Sequence, residues 1–334
     1  MNILFTSAGR RGYLVEYFKE ALGNKGEIHV ANSSEYSTAM KYGDKCVVTP
    51  LIYEEDYIPF LKEYCKRNKI SVLIPLIDVD LPILAENTKE FDEIGVRVIV
   101  SKKDVINICN DKWETFNFLL SRGFNTPLTF LSVPDALNAI NIGKVSFPLI
   151  IKPRWGMGSI SIFEADNLEE LNVFYNKARI MIHSTYLTYE SRKNSDNCII
   201  IQEKIDGQEY GLDIINDLHG NYVKTIVKKK LAMRSGETDI AETIQNRELE
   251  QMGEQLGKAL GHIGNLDTDA FLVKGIPYTL EMNARFGGGY PFSHIAGVNL
   301  PKAIVKWIKD EQVEKSILEP KLGVIGYKDI TIIH

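Results

Sequence analysis

Polar side chains that could bind a metal ion lie near the end of the sequence. Asp269 begins an apolar strand, and after a short turn the returning strand carries Glu281 and Asn283. Side chains alternate along a strand with period two, so Glu281 and Asn283 point to one face, and a hairpin can place Asp269 beside them. Oxygen ligands of this kind suit Mg²⁺, which also takes water and phosphate oxygens. The spacing predicts a magnesium site, although a solvated hairpin would have the same spacing.

The residues after this hairpin could contact phosphate. Arg285 continues the alternation onto the same face, where its guanidinium could bind phosphate through two hydrogen bonds. The glycine run 287–289 would let backbone approach a ligand closely.

Two further segments have weaker signals. Lys152 ends an apolar strand beside a glycine loop, residues 156–159, and such loops bind phosphate through backbone amides. The strand at Cys198–Gln202 runs into an acidic turn that ends at Glu209 and could meet an adenine edge and ribose hydroxyls. Taken alone, each segment also fits an ordinary hairpin or polar turn.

The first hundred residues alternate short apolar runs with amphipathic segments. The predicted strands are Ile3–Phe5, Ile28–Ala31, Val72–Ile74 and Val96–Val100, and the predicted helices are Tyr13–Leu22, Tyr57–Lys69 and Leu81–Phe91. This order predicts a parallel sheet, whose ligands bind beyond the carboxyl ends of the strands. The loop Ser7–Gly12 falls at that edge, but Gly9–Gly12 lacks the spacing of a dinucleotide-binding loop.

The rest of the chain predicts a mixed α+β unit. A hairpin is predicted from Phe147–Lys152 and Ser159–Phe163, and later strands are predicted at Tyr210–Asn216, at Val223–Val227 and around Phe271 and Leu280. The predicted helices are Asp111–Arg122, Leu168–Arg179, Glu248–Ile263 and Leu300–Lys309.

Composition excludes several classes of protein. The 334 residues carry 39 basic and 44 acidic side chains, a net charge of −5, so no basic excess favours nucleic acid or anionic membranes. The four cysteines form no CxxC pair, which argues against a structural zinc site. No apolar stretch approaches 18 residues and no signal peptide is recognisable at the N-terminus, so we expect a cytoplasmic protein.

The motifs in this order resemble the ATP-grasp superfamily from about Asn2 to about Lys309, and in particular single-unit proteins related to half of a carbamoyl-phosphate synthase large subunit. The motifs are Asp111-Lys112, Ile150-Ile151-Lys152-Pro153, Gln202-Glu203 to Glu209, and Glu281-Met282-Asn283-Ala284-Arg285. The resemblance implies a Rossmann-like parallel sheet followed by a two-lobed ATP-grasp fold. It places the domains at 1–108, at 109–202 with a lid hairpin, and at 203–334 with the metal site.

The resemblance also implies a role for each matching residue. Lys112 and Lys152 would contact ATP phosphates, and Arg285 would stabilise the transferring phosphoryl group. The remaining nucleotide-binding positions would be Gly156, Met157, Gly158 and Ser159 in the mobile loop, Glu203, Lys204 and Ile205 at the adenine hinge, and Glu209 at the ribose. Asp269, Glu281 and Asn283 would bind Mg²⁺, with Mn²⁺ as the alternative ion.

The implied activity is ATP-dependent ligation of a small carboxylate to an amine through an acyl phosphate, with ADP as the other product. One alternative is phosphorylation of bicarbonate or carbamate with a partner chain, and another is a non-catalytic ATP-binding module. A homodimer is the expectation from base rates alone.

The acceptor site is the least determined part. Arg234 could bind a carboxylate or the acyl phosphate, or could belong to a solvated strand end. Arg10 and Arg11 could hold an anionic part of a substrate or be surface charge. Asp78 is expected to cap a helix, and His294 could face substrate.

Overall fold

A five-stranded parallel sheet is formed by the N-terminal part of the chain, as predicted. The computed structural model describes residues 1–156 and 160–333. The strands are β1 (Asn2–Thr6), β2 (Ile28–Asn32), β3 (Lys45–Val48), β4 (Ile70–Pro75) and β5 (Arg97–Val98), in the order β3-β2-β1-β4-β5. Their helices are α1 (Gly12–Leu22), α2 (Tyr57–Arg67), α3 (Leu81–Glu86), α4 (Thr88–Asp92) and α5 (Lys103–Asn110). The order reverses between β1 and β4, and ligand crevices of open sheets lie at such a point.

Two local predictions differ from this sheet, and one of its strands was not predicted. The predicted helix Leu81–Phe91 is two helices, α3 and α4, which meet at Asn87. The predicted strand Val96–Val100 pairs with β4 only at Arg97 and Val98. Strand β3 could not be predicted from hydrophobic alternation, because it is a short edge strand with mostly exposed side chains.

A four-stranded antiparallel sheet follows. It consists of β6 (Thr129–Phe130), β7 (Leu149–Pro153), β8 (Phe163–Ala165) and β9 (Ile199–Glu203), in the order β6-β9-β7-β8, with helices α6 (Lys112–Ser121), α7 (Val133–Asn141), α8 (Leu168–His183) and α9 (Leu187–Ser191) in this part of the chain. Its buried apolar cluster draws only on residues between Ala136 and Ile201. The predicted return strand Ser159–Phe163 begins instead at Phe163, and part of it lies outside the described residues.

A six-stranded antiparallel sheet completes the fold. The strands are β10 (Gln208–Asn216), β11 (Tyr222–Arg234), β12 (Glu237–Ile244), β13 (Gly264–Val273), β14 (Ile276–Asn283) and β15 (Ile325–Tyr327), in the order β14-β13-β10-β11-β12-β15. The helices are α10 (Arg247–Leu260), α11 (Tyr290–Ile295) and α12 (Leu300–Ile308). The predicted strand Val223–Val227 continues to Arg234, so the basic segment after it is part of the sheet.

Helix α10 illustrates which local sequence signals produce a helix in this part of the chain. Leu249, Met252, Leu256 and Leu260 recur at helical spacing and are buried together, and the side chain of Asn246 accepts a hydrogen bond from the backbone of Leu249 at the first turn. An apolar stripe and a capped start are sufficient local signals for a helix that packs on a sheet.

The first and third sheets share a buried cluster, which brings the N-terminal part of the chain to the site. Phe5 and Phe18 pack with Phe286, Tyr290 and other side chains of the C-terminal part, and the rings of Phe18 and Phe286 are 5.9 Å apart. The loop after β1 is therefore held against the end of β14. The domain boundaries near residues 108 and 202 remain a prediction.

None of the helices in residues 1–156 and 160–333 combines the length and the apolar character needed to cross a bilayer.

Candidate functional site

The hairpin of β13 and β14 forms one wall of a cavity of about 230 Å³. Its register places Asp269 opposite Glu281 and Asp267 opposite Asn283, and all four side chains line the cavity. Asp267 was not among the residues predicted from the sequence to bind the metal. It lies two residues before Asp269 and therefore points to the same face of the strand. The hairpin thus presents several oxygen donors to one space.

Arg285 extends this wall and is held by two carboxylates. Its guanidinium donates to Asp78 Oδ2 at 2.9 and 3.1 Å and to Asp267 Oδ2 at 2.8 Å. Burial by itself lowers the pKa of Arg285, but the two carboxylates outweigh burial and raise it. The expectation that Asp78 caps a helix is wrong, because α3 begins at Leu81 and Asp78 instead fixes the arginine.

Lys112 and Lys152 reach the cavity from two different elements. Lys112 begins α6, whose start is capped by Asp111 through the backbone N–H groups of Trp113 and Glu114. The Lys112 ammonium donates to Gly156 O at 2.8 Å and lies 3.9 Å from Glu281 Oε1. Two cations from separate elements therefore face the carboxylate wall, next to Gly156.

Lys152 is unusual because it is almost fully buried, with 5% of its surface exposed. The pKa of Lys152 is lowered to about 8, mainly because the ammonium is buried; Glu281 and Asp269 oppose this shift, and the neighbouring Lys112 adds to it. A polyanionic ligand would stabilise this ammonium.

A buried ion pair that sequence reasoning missed links these two lysines. Arg154 donates to both oxygens of Asp111, at 2.7 and 2.8 Å, so the start of α6 is tied to the segment that follows β7. Asp111 therefore both caps the helix that carries Lys112 and anchors the strand that carries Lys152.

Lys230 occupies the space between two predicted ligand-binding acids. Its ammonium lies 2.5 Å from Glu209 Oε1 and 2.6 Å from Asp269 Oδ1. Burial lowers the pKa of Lys230, but the two carboxylates more than compensate and raise it. Glu209, the predicted ribose ligand, thus bonds to a lysine and is not among the residues that line the cavity.

Lys228 belongs to a buried polar network beneath the glycine run. Its ammonium donates to Asp213 Oδ2 at 2.5 Å and to Gly289 O at 3.3 Å. Asp213 also accepts from Ser293 at 2.5 Å and from Asn265 at 3.0 Å. Lys228 and Lys230 share a face, as alternation predicts, but no sequence pattern pointed to Asp213 as the partner of Lys228.

The predicted adenine hinge connects the second and third sheets. The carboxylate of Glu203 accepts from the backbone N–H of Leu128 at 3.0 Å, and Lys204 pairs with Glu164 at 2.6 Å on the surface. Ile205 lies in the same connection, between β9 and β10. The hinge is placed next to the lobes it would join, but it does not line the cavity.

Two other predicted residues, Arg234 and His294, lie apart from the cavity. Arg234 is exposed and pairs with Asp239 at 2.8 Å. His294 stacks on Tyr17 with ring centres 3.5 Å apart. Gly156 does line the cavity, at a φ of 102°, and a Cβ there would clash with the Leu187 side chain. The predicted positions Met157, Gly158 and Ser159 lie outside the described residues.

The oxygen atoms of the β13–β14 hairpin could bind Mg²⁺ only if phosphate or water oxygens supply the remaining ligands. Glu281 and Asn283 offer oxygens to the cavity, while Asp269 is bonded to Lys230. Among the described residues, no group of three or more His, Cys, Asp or Glu side chains could hold a metal ion. Mg²⁺ is commonly bound by one or two protein carboxylates together with substrate phosphates and water. This wall provides the protein part of such a site, through Glu281 and Asn283.

Comparison with known proteins identifies two families along the chain. Residues 3–99 match the family described as PylC-like, N-terminal domain, and residues 109–289 match the family described as ATP-grasp domain. The chain is also similar to the carbamoyl phosphate synthase large chain of Thermoanaerobacter sp. strain X514, with 24% identity over 317 residues. That alignment covers 92% of this chain and 27% of the other, so the chain spans about a quarter of the length of its curated relatives.

Two solved structures share the fold. Biotin carboxylase of Campylobacter jejuni, solved as a β,γ-ATP complex, has a TM-score of 0.74 and 17% identity, covering 96% of this chain and 73% of that one. An L-amino acid ligase of Bacillus licheniformis has a TM-score of 0.72 and 20% identity, covering 99% and 81%.

Proposed function

The chain belongs to the ATP-grasp family, and we propose that it is an ATP-dependent ligase that phosphorylates a small carboxylate and joins it to an amine. The observation that carries this proposal is the convergence of Lys112, Lys152 and Arg285 with Glu281 and Asn283 on one cavity. These are the groups that the transfer of a phosphoryl group between two anions requires.

The first chemical step would move the γ-phosphoryl group of ATP. A carboxylate oxygen of the substrate attacks γ-phosphorus, the bond to the β,γ-bridging oxygen breaks, and ADP leaves with that electron pair. Lys112 and Lys152 would hold the phosphates, and Arg285 would face the transferring group. In the second step the amine attacks the acyl carbon, inorganic phosphate leaves, and the amine loses one proton.

Glu281 and Asn283 would hold Mg²⁺, which when bound neutralises phosphate oxygens and keeps them aligned. We propose that Asp269 joins them only when its contact with Lys230 is released. Lys230 would then keep its ion pair with Glu209. ATP binding would thus replace the Asp269–Lys230 ion pair by an interaction between Asp269 and Mg²⁺.

An acyl phosphate must be shielded from water until the amine arrives. The second sheet has its own buried cluster and carries Lys152 and Gly156 toward the cavity, which supports a role for this lobe as a lid. The Asp111–Arg154 pair would make α6 move with it.

The test is release of ADP from ATP and Mg²⁺ with pooled amino acids, with other small carboxylates, or with bicarbonate. Stimulation by one pool, with trapping of a hydroxamate by hydroxylamine, would support carboxylate activation. If ATP binds but no pool stimulates ADP release, ligase activity toward these classes fails and a non-catalytic ATP-binding module is favoured.

Bicarbonate is tested separately because one curated relative is a carbamoyl phosphate synthase large chain and one structure with the same fold is a biotin carboxylase. Stimulation by bicarbonate alone would favour phosphorylation of bicarbonate or carbamate. That activity would need a source of ammonia or another acceptor, for instance a partner chain.

The pKa of Lys152 predicts how nucleotide affinity depends on pH. Lys152 titrates near 8 in the free protein, and the triphosphate favours its charged form, so binding takes up a proton above pH 8. We expect the Kd for Mg²⁺-AMP-PNP to rise between pH 7 and 9, by up to about tenfold for each unit above the pKa. Calorimetry at each pH measures this dependence.

Lys152→Arg is the matched control, because an arginine stays charged throughout this range. Its Kd should be nearly independent of pH. A wild-type Kd that is equally flat would mean that Lys152 does not bind the phosphates.

A further inference from the structure

Basic side chains other than the two lysines proposed to bind ATP also line the cavity. Lys328 follows β15, and its ammonium lies 5.8 Å from the centre of the Phe292 ring. A Cβ on Gly288 would be 3.9 Å from the same ammonium. The carboxylate beside it, Glu237, is 3.4 Å away on a side chain that is 73% exposed, so solvent screens the pair.

Arg11 joins Lys328 in lining this cavity, from the loop after β1. That loop lies at the point where the strand order of the first sheet reverses. Arg11 Nε is buried, and within the described parts of the chain it has no hydrogen-bond partner. A buried donor without an acceptor costs free energy, so an anion that enters the cavity would gain from pairing with it.

Apart from Arg11, Lys328 and the two lysines proposed to bind ATP, the described basic side chains that line the cavity are paired with carboxylates. Lys230 is bonded to Glu209 and Asp269. Lys228 is bonded to Asp213, and Arg285 is bonded to Asp78 and Asp267. Helix α1, which Arg11 precedes, has no acidic residue in its first turn and no side-chain cap, so its positive end adds to the field. Within the described residues, Arg11 keeps an unpaired Nε and Lys328 has the solvent-screened contact with Glu237, so these two side chains are the ones available to a ligand.

We propose that Arg11 and Lys328 bind a carboxylate or phosphate group on the substrate that reacts beside Arg285. The proposal rests on the proposed function and narrows its substrate class. One of the two substrates carries a negative charge besides the carboxylate that is phosphorylated, and that charge orients it. Arg11 lies within the matched range 3–99, whereas Lys328 lies outside both matched ranges, so only the contribution of Lys328 would be a feature beyond them.

Binding of simple anions tests the proposal directly. The protein is saturated with Mg²⁺-AMP-PNP, so that Lys112 and Lys152 are occupied, and is then titrated with malonate or with inorganic phosphate in a calorimeter. We expect saturable binding that is weakened about 10- to 100-fold in Arg11→Gln and in Lys328→Gln, the usual effect of losing a charged hydrogen bond. Tighter binding of malonate indicates a carboxylate, and tighter binding of phosphate indicates a phosphate ester.

Arg10→Gln is the matched control, because Arg10 is the adjacent arginine but is exposed and does not line the cavity. It should bind both anions as the wild type does. Equal affinities in Arg10→Gln and Arg11→Gln, or no saturable binding of either probe, would overturn the proposal.

Nucleotide binding and hydroxamate formation by the wild type and Arg11→Gln distinguish failure of the anion site from failure of the proposed function. If Mg²⁺-AMP-PNP itself does not bind, the proposed function fails. Suppose instead that the nucleotide binds and that hydroxamate forms from a substrate with one carboxylate and no second negative charge. If Arg11→Gln leaves the KM for that substrate unchanged, only the anion site is refuted. With an anionic substrate, Arg11→Gln should raise KM about 10- to 100-fold while leaving the Kd of AMP-PNP unchanged.

Discussion

Arg285→Ala is expected to lower kcat for ADP formation by about 10²- to 10³-fold, as for other preorganised donors aimed at developing charge. A guanidinium has five N–H donors. In the structure Nε and Nη2 donate to Asp78, and Nη1 donates to Asp267 and to Phe286 O. One Nη2 hydrogen therefore remains for a phosphoryl oxygen, held in place by the bonds that use the others.

Loss of folding must be separated from loss of chemistry in this variant. Removing Arg285 leaves two carboxylates in a site where the arginine side chain is 7% exposed, which should cost on the order of 3–5 kcal/mol of stability. Asp78→Asn combined with Arg285→Ala should recover part of the stability but none of the rate. Urea unfolding and single-turnover ADP formation measure the two effects, and a near-normal kcat in Arg285→Ala would remove the residue from the mechanism.

Asp213→Ala is expected to destabilise the protein by about 3–5 kcal/mol, because it leaves the Lys228 ammonium buried without its partner. Asp213 is fully buried, and the Lys228 side chain is 3% exposed. Ser293 and Asn265 would also lose their acceptor. Urea unfolding at pH 7, with the m-value checked for constancy, measures the change.

The double variant Asp213→Ala, Lys228→Met is the control. It removes both charges, so it should recover at least half of the stability lost in Asp213→Ala. A double variant as unstable as the single would indicate that packing around Asp213, and not the charge pair, accounts for the loss.

The hairpin at the centre of the site could be predicted because its pattern is local. Period-two alternation decides that Glu281 and Asn283 share a face, whatever the rest of the chain does. The same rule applied to Asp267 would have added it to the site. Apolar periodicity likewise identified α10 and the parallel order of the first strands, because helix and strand geometry repeat over a few residues.

Partners distant in sequence could not be predicted in this way. Asp78 and Arg285 are 207 positions apart and meet only because the first and third sheets share a buried cluster. Adjacent Arg10 and Arg11 are equivalent in the sequence, yet only Arg11 lines the cavity. The sequence left open whether Arg234 binds a substrate anion or belongs to a solvated strand end, and only the fold shows that β12 folds back beside it and places Asp239 at 2.8 Å.

The sequence by itself determined the family, the order of its motifs and the face of each short strand, since these depend on neighbouring residues. The tertiary structure decided which charges neutralise one another and which remain for a ligand. Ion pairing falls off over a few ångströms and depends on burial, and both are set by how the sheets pack.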